Sequence, residues 1–419
     1  MDKGIIKAAI AFFSSSVLVQ GIGFLSQVFL MRELSVAQFG TYALVFEALA
    51  MCNMVVSGAF RNYYLREINK GNSSNILLPY QLLFGSFWCV FSTVSIGLVF
   101  NLDNMIILGM SLSMVLSSLI MPKWTECLAL GKRKLIIMRD LTYACGTFLL
   151  ILFYVFYLKK HINFLIISVF TLNIIVSLLF FMDFTELRKY FTFCNIKLLT
   201  TSIVPFFGIF IANTIYNKIG VTFINHMSSI SNVALYLAMF KFITPLFFIQ
   251  NALVSSILPK FNSERSLEFD KKIFLFFAVP GLIVTVVLPL VFPVVISVLG
   301  LYKYENITGL FYYGSPIIFI SFIYGALSNY ISVSGGQSLI LKTNIYAIIF
   351  YILSLFVCEA LGVKINIIIL VLSLFVISES FICIVYYFDI KKNNKITGLF
   401  IWSPLLVITY EIFMVGKLL

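Results

Sequence analysis

The chain has 419 residues, 61% of them hydrophobic and 11% charged, with a mean hydropathy of +1.04. Soluble domains carry roughly a quarter charged residues, so this composition excludes a water-soluble core and leaves a polytopic protein of the lipid bilayer. The formal net charge is +12, but the basic residues sit in short loops between apolar runs, where they set orientation, so nucleic acid is not an expected partner.

A helix needs roughly 20 apolar residues to cross a bilayer. On that rule the expected spans are 8–31, 40–60, 79–100, 104–122, 138–158, 162–182, 199–224, 233–258, 272–299, 309–331, 342–361 and 365–388. Residues 398–416 are a candidate thirteenth, interrupted by Pro404 and Glu411. Lys3 and Lys7 precede a long apolar run with no Ala-x-Ala cleavage pattern, so the first span is expected to be retained. No loop is long enough for a folded extramembrane domain. Of the 29 basic residues, 21 fall in one alternating set of loops and 7 in the other, with Lys241 inside a span. That asymmetry predicts a cytoplasmic N-terminus for a multi-pass membrane protein. The seven cysteines form no C-x-x-C pair, and neither a metal site nor a disulfide framework is expected.

The longest charged interruption in the middle of the chain is Asp183 to Lys197, where Phe184, Leu187, Tyr190, Phe191 and Phe193 alternate with Glu186, Arg188 and Lys189. It reads as an amphipathic helix on the inner surface or as a solvated linker. The expected layout is a six-helix lobe at 1–182, a cytoplasmic linker at 183–198, a second six-helix lobe at 199–390, and a loop with the candidate thirteenth span at 391–419. An even number of spans before the linker makes both halves enter from the same side, as parallel repeats do. Sliding the chain by 194 residues puts Phe29 on Phe223, Tyr42 on Tyr236, Phe46 on Phe240 and Glu47 on Lys241.

Two blocks carry a family resemblance. The first is residues 16–67: a span ending in Arg32, then Leu34, then Phe39-Gly40 and Tyr42 leading a span closed by Arg61. The second is residues 231–261, where Tyr236, Ala238, Lys241 and Pro259 hold the places of a Gly-x-Tyr, small, basic and proline pattern. Here Ala234 replaces the glycine, and Asn225-His226 stand where many relatives carry an acid. Together they resemble the polysaccharide-export proteins (Wzx-type O-antigen or capsule repeat-unit flippases) of the multidrug/oligosaccharidyl-lipid/polysaccharide exporter superfamily. The resemblance implies an all-α MATE-like fold of two six-helix bundles around a central cavity, in the bacterial inner membrane. It implies an undecaprenyl-pyrophosphate-linked oligosaccharide as substrate, moved from the inner to the outer leaflet, and protons or Na+ as coupling ion. The polymerase of the same pathway is the protein partner it suggests. A multidrug antiporter of the same superfamily and a membrane polysaccharide polymerase are the alternatives.

Charges inside a bilayer are costly and usually face a cavity or a partner. Glu47 and Lys241 lie at matching depths of their halves, so they are candidates for an inter-lobe gate, or for a proton site (Glu47) and a pyrophosphate site (Lys241). Glu379 is the other candidate coupling acid; Glu359 and Glu411 read as structural. Arg32 and Arg61 are candidate headgroup contacts, with plain positive-inside topology as the alternative. Gln20 with Gln27, and Asn213 with Asn217, share helix faces and suit either sugar hydroxyls or helix packing. Pro205, Pro245, Pro280, Pro289, Pro293 and Pro316 predict a more distorted second half. Nothing resembles a nucleotide loop, a metal cluster or a catalytic triad, so neither a cofactor nor enzymatic chemistry is expected.

Overall fold

A backbone in hydrocarbon must satisfy its own N–H and C=O groups, and this chain does so with helix. The computed structural model describes residues 3–69, 81–129, 133–158, 161–180, 196–247, 250, 253, 267–333, 336–363, 365–393 and 398–418. Among them there is no strand. The helices are α1 (Lys3–Glu33), α2 (Val36–Asn69), α3 (Ser86–Val99), α4 (Asn104–Leu119), α5 (Met121–Ala129), α6 (Arg133–Phe153), α7 (Ile162–Leu179) and α8 (Ile196–Met227). They continue as α9 (Ile230–Ile243), α10 (Leu267–Leu299), α11 (Ile307–Gly314), α12 (Pro316–Val333), α13 (Gln337–Ala360), α14 (Ile367–Asn393) and α15 (Leu399–Gly416). Among the described residues nine helices are long and apolar enough to cross a membrane, α15 included, and a bent pair makes a tenth. Most of the expected linker, 181–195, lies outside the described residues.

Three expected spans are interrupted near a proline, although one of them, Ile307–Ile331, is still long and apolar enough to cross as a single span. The span expected at 104–122 is α4 followed by α5, bent by 43° at Ile120. Pro122 has no N–H to continue the ladder and its ring crowds the carbonyl four residues back. The span expected at 233–258 stops as a helix at Ile243, two residues before Pro245. The span expected at 309–331 is α11 and α12, which meet at Ser315 and Pro316. The carbonyl that Pro316 cannot engage is that of Tyr312, and the Tyr410 hydroxyl of α15 donates to it at 3.0 Å. By contrast α10 runs on through Pro280, Pro289 and Pro293. Interruptions at Pro245 and Pro316 lie in the second half, and the 43° bend lies in the first.

Contacts divide the chain into two units, Met1–Thr214 and Ile215–Leu419, with the boundary inside α8. In the first, α1 packs on α6, α4 lies between α3 and α7, and α2 packs on α3 and α5. Its core holds Cys52, Val56, Ala59, Phe60, Tyr63 and Tyr64 of α2 with Cys89 and Phe207. Phe207 meets Phe60 edge-on at 5.4 Å and stacks on Trp88 at 4.8 Å. In the second unit α12 packs on α10 and α14, and α14 also receives α11, α13 and α15. Lipid-length apolar side chains such as Leu282, Ile283 and Val286 of α10 point outward, as expected where hydrocarbon is the solvent.

The two units repeat one local construction. α1 ends at Glu33 and α2 begins at Val36; α8 ends at Met227 and α9 begins at Ile230, in both cases 194 residues later. Each break carries a serine cap. Ser35 accepts from the Gln38 amide at 3.2 Å while Gln38 accepts from the Ser35 amide at 3.1 Å, a reciprocal capping box. Ser229 accepts from the Asn232 amide. One turn on, Tyr42 packs on Phe46 at 4.5 Å and Tyr236 on Phe240 at 4.8 Å. Both tyrosines are buried.

Candidate functional site

Phe46, Ala50, Asn53, Ser57 and Arg61 recur every three or four residues and so share one face of α2. That face lines a cavity of about 440 Å³ inside the first unit. Met114, Ser117 and Ser118 come from α4, Met121 and Trp124 from α5, Arg139 and Tyr143 from α6, and Asn173 from α7. The bend at Ile120 matters here, because it turns α5 and brings Trp124 to the same wall as the end of α4.

The polar groups are braced. Asn173 donates to Ser113 Oγ at 2.8 Å and to Ser117 Oγ at 2.9 Å. Ser57 hydrogen-bonds Asn53 one turn back. The Arg139 guanidinium lies over the Trp124 ring, 5.1 Å from its centroid, and its Nη1 meets Asp140 Oδ1 at 3.1 Å. Its Nε is buried and makes no hydrogen bond among the described residues. A guanidinium is a planar fork of donors that matches carboxylate and phosphate oxygens. Among the described residues the lining contains two of them, Arg61 and Arg139, and no aspartate or glutamate. Such a wall attracts an anion, while its hydroxyls, amide groups and indole face offer hydrogen bonds and a stacking surface.

Arg61 is the one expected site residue that lines this cavity. Gln20 is exposed on α1, and Gln27, half-buried on the same helix, faces the Tyr42 hydroxyl. Arg32, exposed at the end of α1, lies 3.5 Å from Glu33. Glu47 is half-buried on α2 and Lys241 on α9. Asn213 is half-buried and Asn217 exposed on α8.

No protein-family model and no curated protein matches the sequence. Solved structures do match in fold. An inward-facing multidrug resistance MATE family transporter of the MOP superfamily superposes with a TM-score of 0.64 at 11% identity, covering 95% of both chains. The lipid II flippase MurJ in an inward closed conformation gives 0.65 at 13% identity, covering 97% of this chain and 92% of that one. A Vibrio cholerae MATE transporter, VcmN, gives 0.57 at 10% identity, covering 95% and 98%. The fold is that of the MATE and MurJ transporters. The all-α, MATE-like architecture expected from the sequence is what the chain adopts, as a multi-pass membrane protein.

Within the second unit of this MATE-like fold, Glu379 of α14 is buried. Its charge acts on the tyrosines Tyr216, Tyr324 and Tyr386 and on Cys383. Tyr216 shares a 2.7 Å hydrogen bond with Ser378, and Tyr324 stacks on Tyr386 at 5.8 Å. Glu379 Oε2 makes no hydrogen bond among the described residues. A carboxyl held among hydroxyls with no basic neighbour acting on it is suited to carry a proton.

Sequence reasoning missed Arg139, Trp124 and Asn173. An arginine at the start of an apolar run reads as a charge that sets orientation, whereas α6 starts at Arg133 and puts Arg139 in its second turn. Asn173 is the only side-chain amide in α7 between Asn163 and its end. A search for isolated amides inside apolar runs would have found it.

Proposed function

We propose that this protein is a flippase that moves undecaprenyl-pyrophosphate-linked oligosaccharide repeat units, of O-antigen or capsule, from the inner to the outer leaflet by ion-coupled alternating access. The carrying observation is the pair of guanidiniums, Arg61 and Arg139, on a wall whose described lining residues include no carboxylate, Arg139 being paired through Nη1 with Asp140. In this reading the two guanidiniums receive the pyrophosphate. Asn53, Ser57, Ser117 and Asn173 meet sugar hydroxyls, and Trp124 offers a face to a sugar ring. Arg32, Lys241, Gln20, Gln27, Asn213 and Asn217 are further substrate contacts, each within its own unit, and Glu47, Lys241 and Glu379 are the coupling or gating residues. The fold likeness to MurJ supports a lipid-linked cargo. The likeness to multidrug MATE transporters supports the second reading, export of drugs. Arg61 and the Nε of Arg139, unbonded among the described residues, favour an anionic headgroup over a cationic drug.

The test is a strain lacking the gene, from which undecaprenyl-linked sugars are extracted and assigned to a leaflet. Complete single repeat units trapped on the inner leaflet are expected. Unjoined units exposed outside would instead indicate a polymerase. Normal surface polysaccharide with lost drug resistance would indicate an antiporter.

A further inference from the structure

α15 is held to the second unit by two adjacent residues that face different helices. Tyr410 closes the carbonyl freed at Pro316, as described above. Glu411 turns the other way, toward α14. It is wholly buried, and so is Ser373 of α14, at 0% and 1% exposure. The Ser373 hydroxyl is the one side chain that acts on the Glu411 carboxyl. Both Glu411 oxygens and Ser373 Oγ make no hydrogen bond of good geometry among the described residues. Three buried, unpartnered oxygens thus converge between two packed helices.

Among the described residues no fixed charge answers the carboxyl. On α15 itself, Tyr410 feels Glu411 together with Tyr312 and Tyr313 of α11, and Lys417 is engaged over the Phe413 ring at 4.3 Å. α10 and α12, the other helices packed on α15, bring no charged group that acts on Glu411; their contact is apolar, as in Phe274 against Phe400 at 5.0 Å. A bare carboxylate in such surroundings is too costly to leave uncompensated. Three oxygens, two from one carboxyl, are too few to replace the hydration shell of a metal cation. A proton needs one.

We infer that Glu411 and Ser373 form a proton-binding site that latches α15 against α14, separate from the cavity of the first unit and from Glu379. Protonated, Glu411 is neutral and donates its O–H to Ser373 Oγ. When that proton leaves to water, the carboxylate must be hydrated, and α15 separates from α14 around the Tyr410 clasp. The closed arrangement binds one proton more than the open one. Opening therefore rises with pH, by up to about tenfold per pH unit while that proton is being released. The site stands whatever the cargo is.

The experiment uses the full chain reconstituted in lipid vesicles over a pH series. Infrared spectra read the protonated-carboxyl stretch, and hydrogen exchange reads residues 399–416 after correction for the intrinsic rate. A protonated-carboxyl band is expected at neutral pH that disappears in E411Q and persists in E379Q. Exchange in 399–416 is expected to rise with pH in the wild type, up to tenfold per unit, and to stay flat in E411Q. An infrared spectrum unchanged by E411Q, or the same pH slope in both proteins, overturns the proposal. Should E411Q not accumulate, S373A carries the test, since removing the acceptor must shift the band; an unshifted band overturns it equally.

Discussion

At the scale of single residues, Arg139 decides more than any other side chain of the first unit. It lies on Trp124, touches Asp140, and keeps a buried Nε that hydrogen-bonds nothing among the described residues. If it receives the pyrophosphate, Arg139→Gln removes a charge-assisted hydrogen bond of about 1.5–3 kcal/mol, which is roughly a 10- to 150-fold loss. Arg139→Lys keeps the charge without the fork and should fall between. Inner-leaflet accumulation of lipid-linked sugar in complemented cells measures both, and wild-type export by the glutamine variant would remove Arg139 from the headgroup site. Gly220 on α8 is decisive in a different way. A Cβ there would sit 2.7 Å from Val371, 2.9 Å from the Tyr236 hydroxyl and 3.0 Å from the Tyr351 hydroxyl. Three helices approach through that one missing methyl, and Tyr351 is itself tied to the Val371 carbonyl at 2.9 Å. Gly220→Ala should cost about 1–3 kcal/mol by overpacking, read as a lowered melting temperature of the purified protein.

At the scale of elements, prolines set where helices break, but their effect depends on what answers the carbonyls they free. At Pro316 the answer is Tyr410. Interhelical hydrogen bonds inside membranes average about 0.6 kcal/mol, with a maximum near 1.7, so Tyr410→Phe should destabilise by about that much. Pro316→Ala restores the N–H that Tyr312 lacks, so adding Tyr410→Phe to it should cost close to nothing. A double-mutant cycle in thermal unfolding measures the difference, and equal costs in both backgrounds would show that Tyr410 does not serve that carbonyl. The sequence shows where apolar runs lie, because each residue's transfer preference is local. It does not show the bend at Ile120, because a run that includes Pro122 is as apolar broken as whole. Nor does it separate Pro316, which ends a helix, from Pro280, which α10 carries inside; that difference rests on neighbours distant in the chain.

At the scale of the whole molecule, the fold was legible and the site was only half so. Period, length and charge bias are properties of the chain itself, and they lead to an all-helical membrane protein; the MATE-like arrangement was legible only through the resemblance carried by residues 16–67 and 231–261. The 194-residue offset was visible as a few aromatic matches, and the structure adds what makes them meaningful: the same helix break, serine cap and ring pair at both places. Arg61 could be picked from its place at the end of an apolar run. Arg139 could not, since a basic residue near a helix start looks the same whether it anchors at the surface or turns toward a cavity. The loop asymmetry gives one further prediction. With α15 as an odd-numbered crossing, a reporter fused after Leu419 should read outside, and one placed at 123–132 should read inside; the reverse pattern would invert the whole map. α15 also has a use that its place at the end of the second unit conceals. Pro316 opens a gap in the backbone of its neighbour, and hydrocarbon tolerates no open gap. α15 is the stopper. A shortened chain ending before Leu399 would present the Tyr312 carbonyl to lipid and unroof Ser373 together, so the last helix is better understood as sealant for the preceding bundle than as an appendage to it.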